Sequence, residues 1–185
     1  MCRCEEASVI VGVGALGDIG DAQTTARCMV GCVRGDLMAD AVVNVEEIQL
    51  PRILLRMLID GQGSGASLTM FEMEVAPGGA MPVPHHHVGF DETVYCMAGR
   101  LRMMRDRKTV DVEAGETVHV PRGMVHAFEN PFKETAKVLV VITPGVFGAP
   151  YFRDMKELMS GDGPPDPKRA AEVMMRHGLV PAAPR

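Results

Sequence analysis

An all-β fold, an antiparallel sandwich or barrel, is predicted by three observations. From residue 45 onward, short runs of alternating or concentrated apolar side chains follow one another at close spacing. Each run ends in glycine, proline or a polar turn, and helical periodicity is confined to the part of the chain beyond residue 149. Short strands separated by turn residues at regular spacing are the pattern of sandwiches and barrels.

Residues 1–44 show little sustained periodicity and carry scattered glycines, so they are read as a loosely structured N-terminal arm. Gly12-x-Gly14-x2-Gly17 has the spelling of a dinucleotide-binding turn, but Asp18-Ile19-Gly20-Asp21 follows it instead of an amphipathic helix, and the reading is set aside. Residues 45–148 carry the barrel. The apolar run 52–59 is short for a helix, ends in the Gly-rich loop 60–65 and is read as a strand. Residues 67–75 alternate cleanly, with Phe71, Met73 and Val75 on one face and Glu72 and Glu74 on the other. Further strands are expected at 92–98, 100–105, 110–112, 117–120, 125–129 and 135–142, with turns at Gly99, 106–108 and Gly115. Residues 149–185 form a C-terminal helical extension. One short helix spans 150–159; a second opens with Asp166 as N-cap and Pro167 at the first helical position, and stops at Gly178.

With 185 residues the chain has the length of one domain. A net charge of -5 argues against a nucleic-acid or anionic-membrane partner, either of which demands a basic surface. The basic cluster Arg100, Arg102, Arg105, Arg107 and Lys108 is read as a solvated edge. No apolar run approaches the ~18 residues of a membrane span, and Glu5 and Glu6 stand where a signal peptide would be positive, so the expectation is a soluble, cytoplasmic protein. Cys2, Cys4, Cys28 and Cys32 lack paired zinc-knuckle spacing and are read as free thiols.

Chemistry is concentrated in two stretches. In Gly79-x5-His85-x-His87-x4-Glu92-x6-Gly99, histidines two apart on an extended segment share a face, and Glu92 returns to them if the chain turns between. In Gly115-x5-Pro121-x-Gly123-x2-His126-x3-Asn130, a turn precedes a third histidine at the head of the next strand. Such a spaced set is a candidate metal site.

The two motifs, in this order and with fifteen residues between them, resemble those of the cupin superfamily. Gly79, His85, His87, Glu92 and Gly99 match its first motif; Gly115, Pro121, Gly123, His126 and Asn130 match its second. The match covers about residues 48–143. It implies a double-stranded β-helix, a jelly-roll barrel, with one divalent metal held inside by His85, His87, Glu92 and His126. Three imidazoles and a carboxylate suit Fe, Mn, Ni, Cu, Co or Zn. The tail from Pro164 to Leu179 is similar to the extension of quercetin dioxygenase-like cupins, and also compatible with cupin-type polyketide cyclases.

Glu92 then has two roles open to it, holding the metal or taking a proton from a substrate hydroxyl. Phe71, Met73, Leu101 and Met103 occupy the apolar faces of their strands, Phe128 shares the face of His126, and Cys96 shares that of Glu92. These six are read as substrate-pocket lining, with core packing the alternative. His86 and His119 face away from the ligand set, and His177 caps the last helix. The chain's 15 methionines fit an apolar pocket for an aromatic or polyketide-like small molecule. The leading expectation is a metal-dependent dioxygenase for a small phenolic or enolisable molecule. A non-oxidative cyclase or isomerase, or a non-catalytic small-molecule-binding barrel, is the alternative. A homodimer is expected through the edge strand in 45–59.

Overall fold

In the computed structural model, which describes residues 45–182 apart from 107, 162 and 164, the ambiguous run at 52–59 is a strand. The expectations for residues 1–44, including Cys2, Cys4, Cys28 and Cys32, and for Arg107 lie outside the described residues. β1 (Glu46–Leu50) turns through Pro51-Arg52 into β2 (Ile53–Ile59). Ile53, Leu55 and Met57 are buried, while Arg56 faces outward between Glu47 at 2.8 Å and Glu74 at 2.6 Å. A two-residue period with cross-strand ion pairing on one face is what a helix could not satisfy here.

The chain continues through β3 (Thr69–Val75), β4 (Ala80–His87), β5 (Asp91–Ala98), β6 (Arg100–Arg105), β7 (Lys108–Glu113), β8 (Thr117–Val120), β9 (His126–Glu129) and β10 (Ala136–Thr143). Helices α1 (Ala149–Leu158) and α2 (Pro167–Arg176) and strand β11 (Leu179–Pro181) follow. Among the described residues the strands form two antiparallel sheets, ordered β1-β2-β3-β10-β5-β8 and β11-β4-β9-β6-β7. Two facing antiparallel sheets are the sandwich that the alternation of short strands predicts, and their strand order is the jelly roll that the cupin resemblance implies.

The core lies between the sheets. Val138, Val140 and Ile142 of β10 are fully buried and join Leu101, Met103 and Val112 of the other sheet in one cluster. Each such side chain contributes about 1.5–3 kcal/mol by leaving water. The outer face of β6–β7 is ion-paired: Arg102 meets Asp111 at 2.7 Å and Arg100 meets Glu113 at 3.6 Å, so these members of the basic cluster are a solvated edge.

The motif residues that are not candidate ligands have structural work. A Cβ at Gly99, whose φ is 69°, would sit 2.4 Å from the Thr135 carbonyl oxygen; one at Gly79 would sit 2.8 Å from Val75 Cγ1. Asn130 is buried, donates to the Val75 and Glu134 carbonyls at 2.7 and 2.8 Å, and accepts from the Phe132 amide at 3.0 Å. It thereby ties the turn after β9 to the end of β3, the strand that precedes the histidine strand.

The tail follows its capping signals and then departs from expectation. Asp166 accepts from the Lys168 amide at 3.0 Å, and Gly178, with φ 80°, ends α2. Asp154 of α1 receives Arg176 at 3.0 Å and His177 at 2.8 Å, joining the helices. His177 is therefore a helix-to-helix bond as well as the α2 cap. The last three strand residues were not expected as a strand: Leu179, Val180 and Pro181 pair with His87, His86 and His85. Amide bonds from Val88 to the Gly178 carbonyl, 3.0 Å, and from Ala182 to the Pro84 carbonyl, 2.7 Å, bracket that pairing.

Candidate metal centre

Strand alternation places His85 and His87 on the inner face of β4, and antiparallel pairing sets His126 of β9 directly opposite His85. One ring nitrogen from each lies within 4.8 Å of the others, and the rings are 4, 2 and 2 % exposed. Glu92 approaches from β5 in the opposing sheet, with a carboxylate oxygen 3.4 Å from His126 Nε2 and 3.6 Å from His87 Nε2.

The ring orientations are set by neighbours. His85 Nδ1 donates to the Val83 carbonyl and His126 Nδ1 to the Met124 carbonyl, each at 3.0 Å. A carbonyl can only accept, so these nitrogens carry the proton and the neutral rings keep an Nε2 lone pair. His87 is held differently. Its Nδ1 has no hydrogen-bond partner among the described residues, and its ring stacks on Phe90 at 4.1 Å, which stacks in turn on Phe147 at 5.0 Å.

Burial pushes His85 down to about 4, reinforced by His126, and burial pushes His87 down to about 3. Both are neutral donors at physiological pH. At His126 burial acts downward, yet the hydrogen bond and charge of Glu92 outweigh it and raise the ring above its ordinary value. At Glu92 burial acts upward, and the contact with His126 together with the other imidazoles outweighs it, holding the carboxyl below the usual range. The pair thus describes a largely enclosed carboxylate that favours positive charge at the meeting point of two neutral imidazoles and a third. That donor chemistry fits a divalent transition metal.

An ion pair that sequence reasoning missed joins the two motifs. Asp91 accepts from the Arg122 backbone amide at 2.8 Å and from its guanidinium at 2.9 and 3.0 Å. The turn leading to His126 is thereby fastened to the residue beside Glu92.

The candidate ligands open on an apolar cavity of about 50 Å³. Phe71, Met73 and Phe128 stand in its wall. Cys96, Leu101 and Met103 do not: they are 0, 0 and 1 % exposed but packed in the core. Cys96 pairs with Val138, and its Sγ lies 3.5 Å from the Ala98 carbonyl; Leu101 and Met103 pair with Val112 and Val110. Inward direction follows from alternation, whereas depth along the barrel decides between wall and core. The wall's missed members include Leu50 and Ile53 of the first hairpin, Met81 of β4, Val140 and Ile142 of β10 and, above all, Phe147, Tyr151, Phe152 and Leu179. A signal for the aromatic trio existed: the chain has only six Phe and two Tyr, and three of these fall within 147–152. His119 is exposed and bonded to Thr93 at 3.0 Å, and His86 lies on the outward register of β4; neither joins the cluster.

A jelly-roll barrel with three convergent buried histidines defines the class, a double-stranded β-helix with a site suited to a divalent metal. The model of the cupin domain matches residues 71–142. Quercetin 2,3-dioxygenase of Bacillus subtilis is 33 % identical over 85 residues, covering 46 % of this chain and 25 % of that protein. A protein named polyketide synthase CurC of Streptomyces cyaneus is 30 % identical over 112 residues, 59 % of this chain and 73 % of its own. Oxalate decarboxylase of Bacillus subtilis shares the fold at a TM-score of 0.51 and 21 % identity, over 58 % of this chain and 29 % of that one. The chain belongs to the cupin superfamily. It spans a quarter of the quercetin dioxygenase it matches.

Proposed function

We propose that the chain is a metal-dependent dioxygenase for a small phenolic or enolisable molecule, with His85, His87 and His126 holding one divalent ion and Glu92 as fourth ligand or proton acceptor. The observation that carries the reading is the Glu92 carboxylate, 14 % exposed and 3.4 Å from His126, on an apolar cavity. A divalent ion held there by His85, His87, His126 and Glu92 would supply Lewis-acid polarisation and, if redox-active, one-electron chemistry. The chain's own residues bind and orient. Carbonyl bonds at His85 and His126 fix two rings, the aromatic wall excludes water, and ionised Glu92 accepts the proton of an enol or phenol hydroxyl. Dioxygen is the oxidant, and both its atoms enter the product. Likeness to quercetin 2,3-dioxygenase over 85 residues supports this chemistry.

Oxygen uptake during turnover of a panel of flavonols, catechols and 1,3-diketones tests it. Consumption should match substrate loss one to one and stop under anaerobic conditions. Glu92→Gln should lower kcat by about 10²–10⁴-fold. Turnover that continues without dioxygen would instead support a non-oxidative cyclisation or isomerisation, the second reading, with which the Streptomyces cyaneus relative named a polyketide synthase, covered to 73 %, is compatible. The protein is further proposed to be cytoplasmic and a homodimer, since β1 is the outer strand of its sheet. A monomer mass by light scattering would sink the dimer.

A further inference from the structure

The C-terminal extension's part of the cavity wall is apolar except for one residue that carries a hydroxyl, Tyr151. Tyr151, in the first turns of α1, is 1 % exposed and lines the same cavity as the three histidines and Glu92. Among the described residues its hydroxyl has a single partner, the Met81 thioether at 4.0 Å. A thioether is a weak acceptor, and a buried hydroxyl without a proper acceptor costs roughly 1–3 kcal/mol. Phe147 and Phe152 pack against the ring at 5.0 and 5.1 Å and hold it in place. The same packing would accommodate phenylalanine, so apolar packing alone does not call for the hydroxyl. Burial raises the phenol above its ordinary value, leaving it a neutral donor at any working pH.

We propose that Tyr151 is a substrate-anchoring residue, its hydroxyl donating a hydrogen bond to one oxygen of a small molecule whose other oxygen lies at the His85, His87, His126 and Glu92 end of the cavity. This rests on the reading of the cavity as a ligand site and narrows the ligand. It carries two oxygen functions, as in an enediol or an α-hydroxycarbonyl compound. It is also small, because a cavity of about 50 Å³ holds only a few water-sized groups, against ~300–1,000 Å³ for drug-sized ligands. A larger molecule enters only if Phe147, Tyr151, Phe152 and Leu179 move aside. The anchoring hydroxyl therefore comes from the extension, while metal binding resides in the barrel.

The test uses the full chain loaded with Co²⁺ and titrated with acetohydroxamate, a small ligand with two oxygens. The visible Co²⁺ bands report binding at the metal. Absorbance near 285 nm reports tyrosine, since the chain has no tryptophan and only Tyr95 and Tyr151. Binding should perturb the tyrosine band in the wild type and in Tyr95→Phe, whose ring is 41 % exposed. In Tyr151→Phe the perturbation should vanish and Kd should rise about tenfold, with Co²⁺ content unchanged. A purely structural Tyr151 would lower the melting temperature or the Co²⁺ content without a ligand-induced tyrosine signal. Unchanged affinity in Tyr151→Phe, or no tyrosine perturbation in the wild type, would overturn the anchor alone. Failure of the Co²⁺-loaded wild type to bind acetohydroxamate at all would overturn the ligand-site reading beneath it.

Discussion

His85, His87 and His126 reach the cavity from β4 and β9, whereas Phe147, Tyr151, Phe152 and Leu179 reach it from the segment after β10. The first group is held by rigid strand pairing and, at two of its rings, by carbonyl bonds within two residues, His85 to Val83 and His126 to Met124, while His87 leans on Phe90 and through it on Phe147. The second group is held by packing among its own rings and by tertiary bonds such as His177 to Asp154. One side of the cavity is local and polar, the other long-range and apolar. Metal affinity and ligand selection should consequently fail largely independently, with His87 the one ring that touches both sides, and mutation tests that separation.

The largest effect is expected on the histidine side. His126→Ala removes a donor and leaves Glu92 beside one fewer imidazole, so metal affinity should fall by more than about 100-fold, beyond the effect of losing an orienting neighbour. Metal content by elemental analysis after dialysis against a weak chelator measures it. Retention of full metal content would remove His126 from the set. On the other side, Phe152→Ala deletes a 6 % exposed ring that packs edge-on against Phe71 at 5.2 Å. Stability should drop by about 3–5 kcal/mol in denaturant unfolding, while the folded fraction keeps its metal. If metal is lost in proportion to the ring, the two sides are coupled and the comparison fails.

Legibility in the sequence follows the same division. The strands from 53 to 143 were readable because one-sided burial imposes a period of two, and the turns because glycine and proline mark them. The candidate ligands were readable because residues sharing a strand face keep a fixed spacing whatever surrounds them. Nothing local announced that Asp91 would meet Arg122, 31 residues away, or that Leu179 would pair with His87. A three-residue strand has no periodicity to detect, and it exists because β4 offers an open edge. Cys96, Leu101 and Met103 illustrate the remaining limit. Alternation says which way a side chain points and not whether the space it points into is filled.

The smallest expected effect probes how firmly the extension is latched. His177, then Arg176, holds the Asp154 carboxyl below its ordinary 3.8. A carboxyl depressed in the folded state adds stability above the unfolded value and loses it as pH falls through the folded one. The bridge is therefore intact at neutral pH and weakens below about 3.8. Its side chains are 18 and 33 % exposed, so solvent screens the gain and the global melting temperature should move little. The local readout is sharper. Amide exchange at Val88 and Ala182, the two donors that bracket β11, should accelerate on acidification after correction for intrinsic rates, while amides of β10 stay protected. Asp154→Asn should give the faster exchange already at neutral pH and remove the acid-dependent step. Equal protection of β11 and β10 across that range would mean that the strand pairing, and not the helix-to-helix bridge, holds the aromatic wall in place.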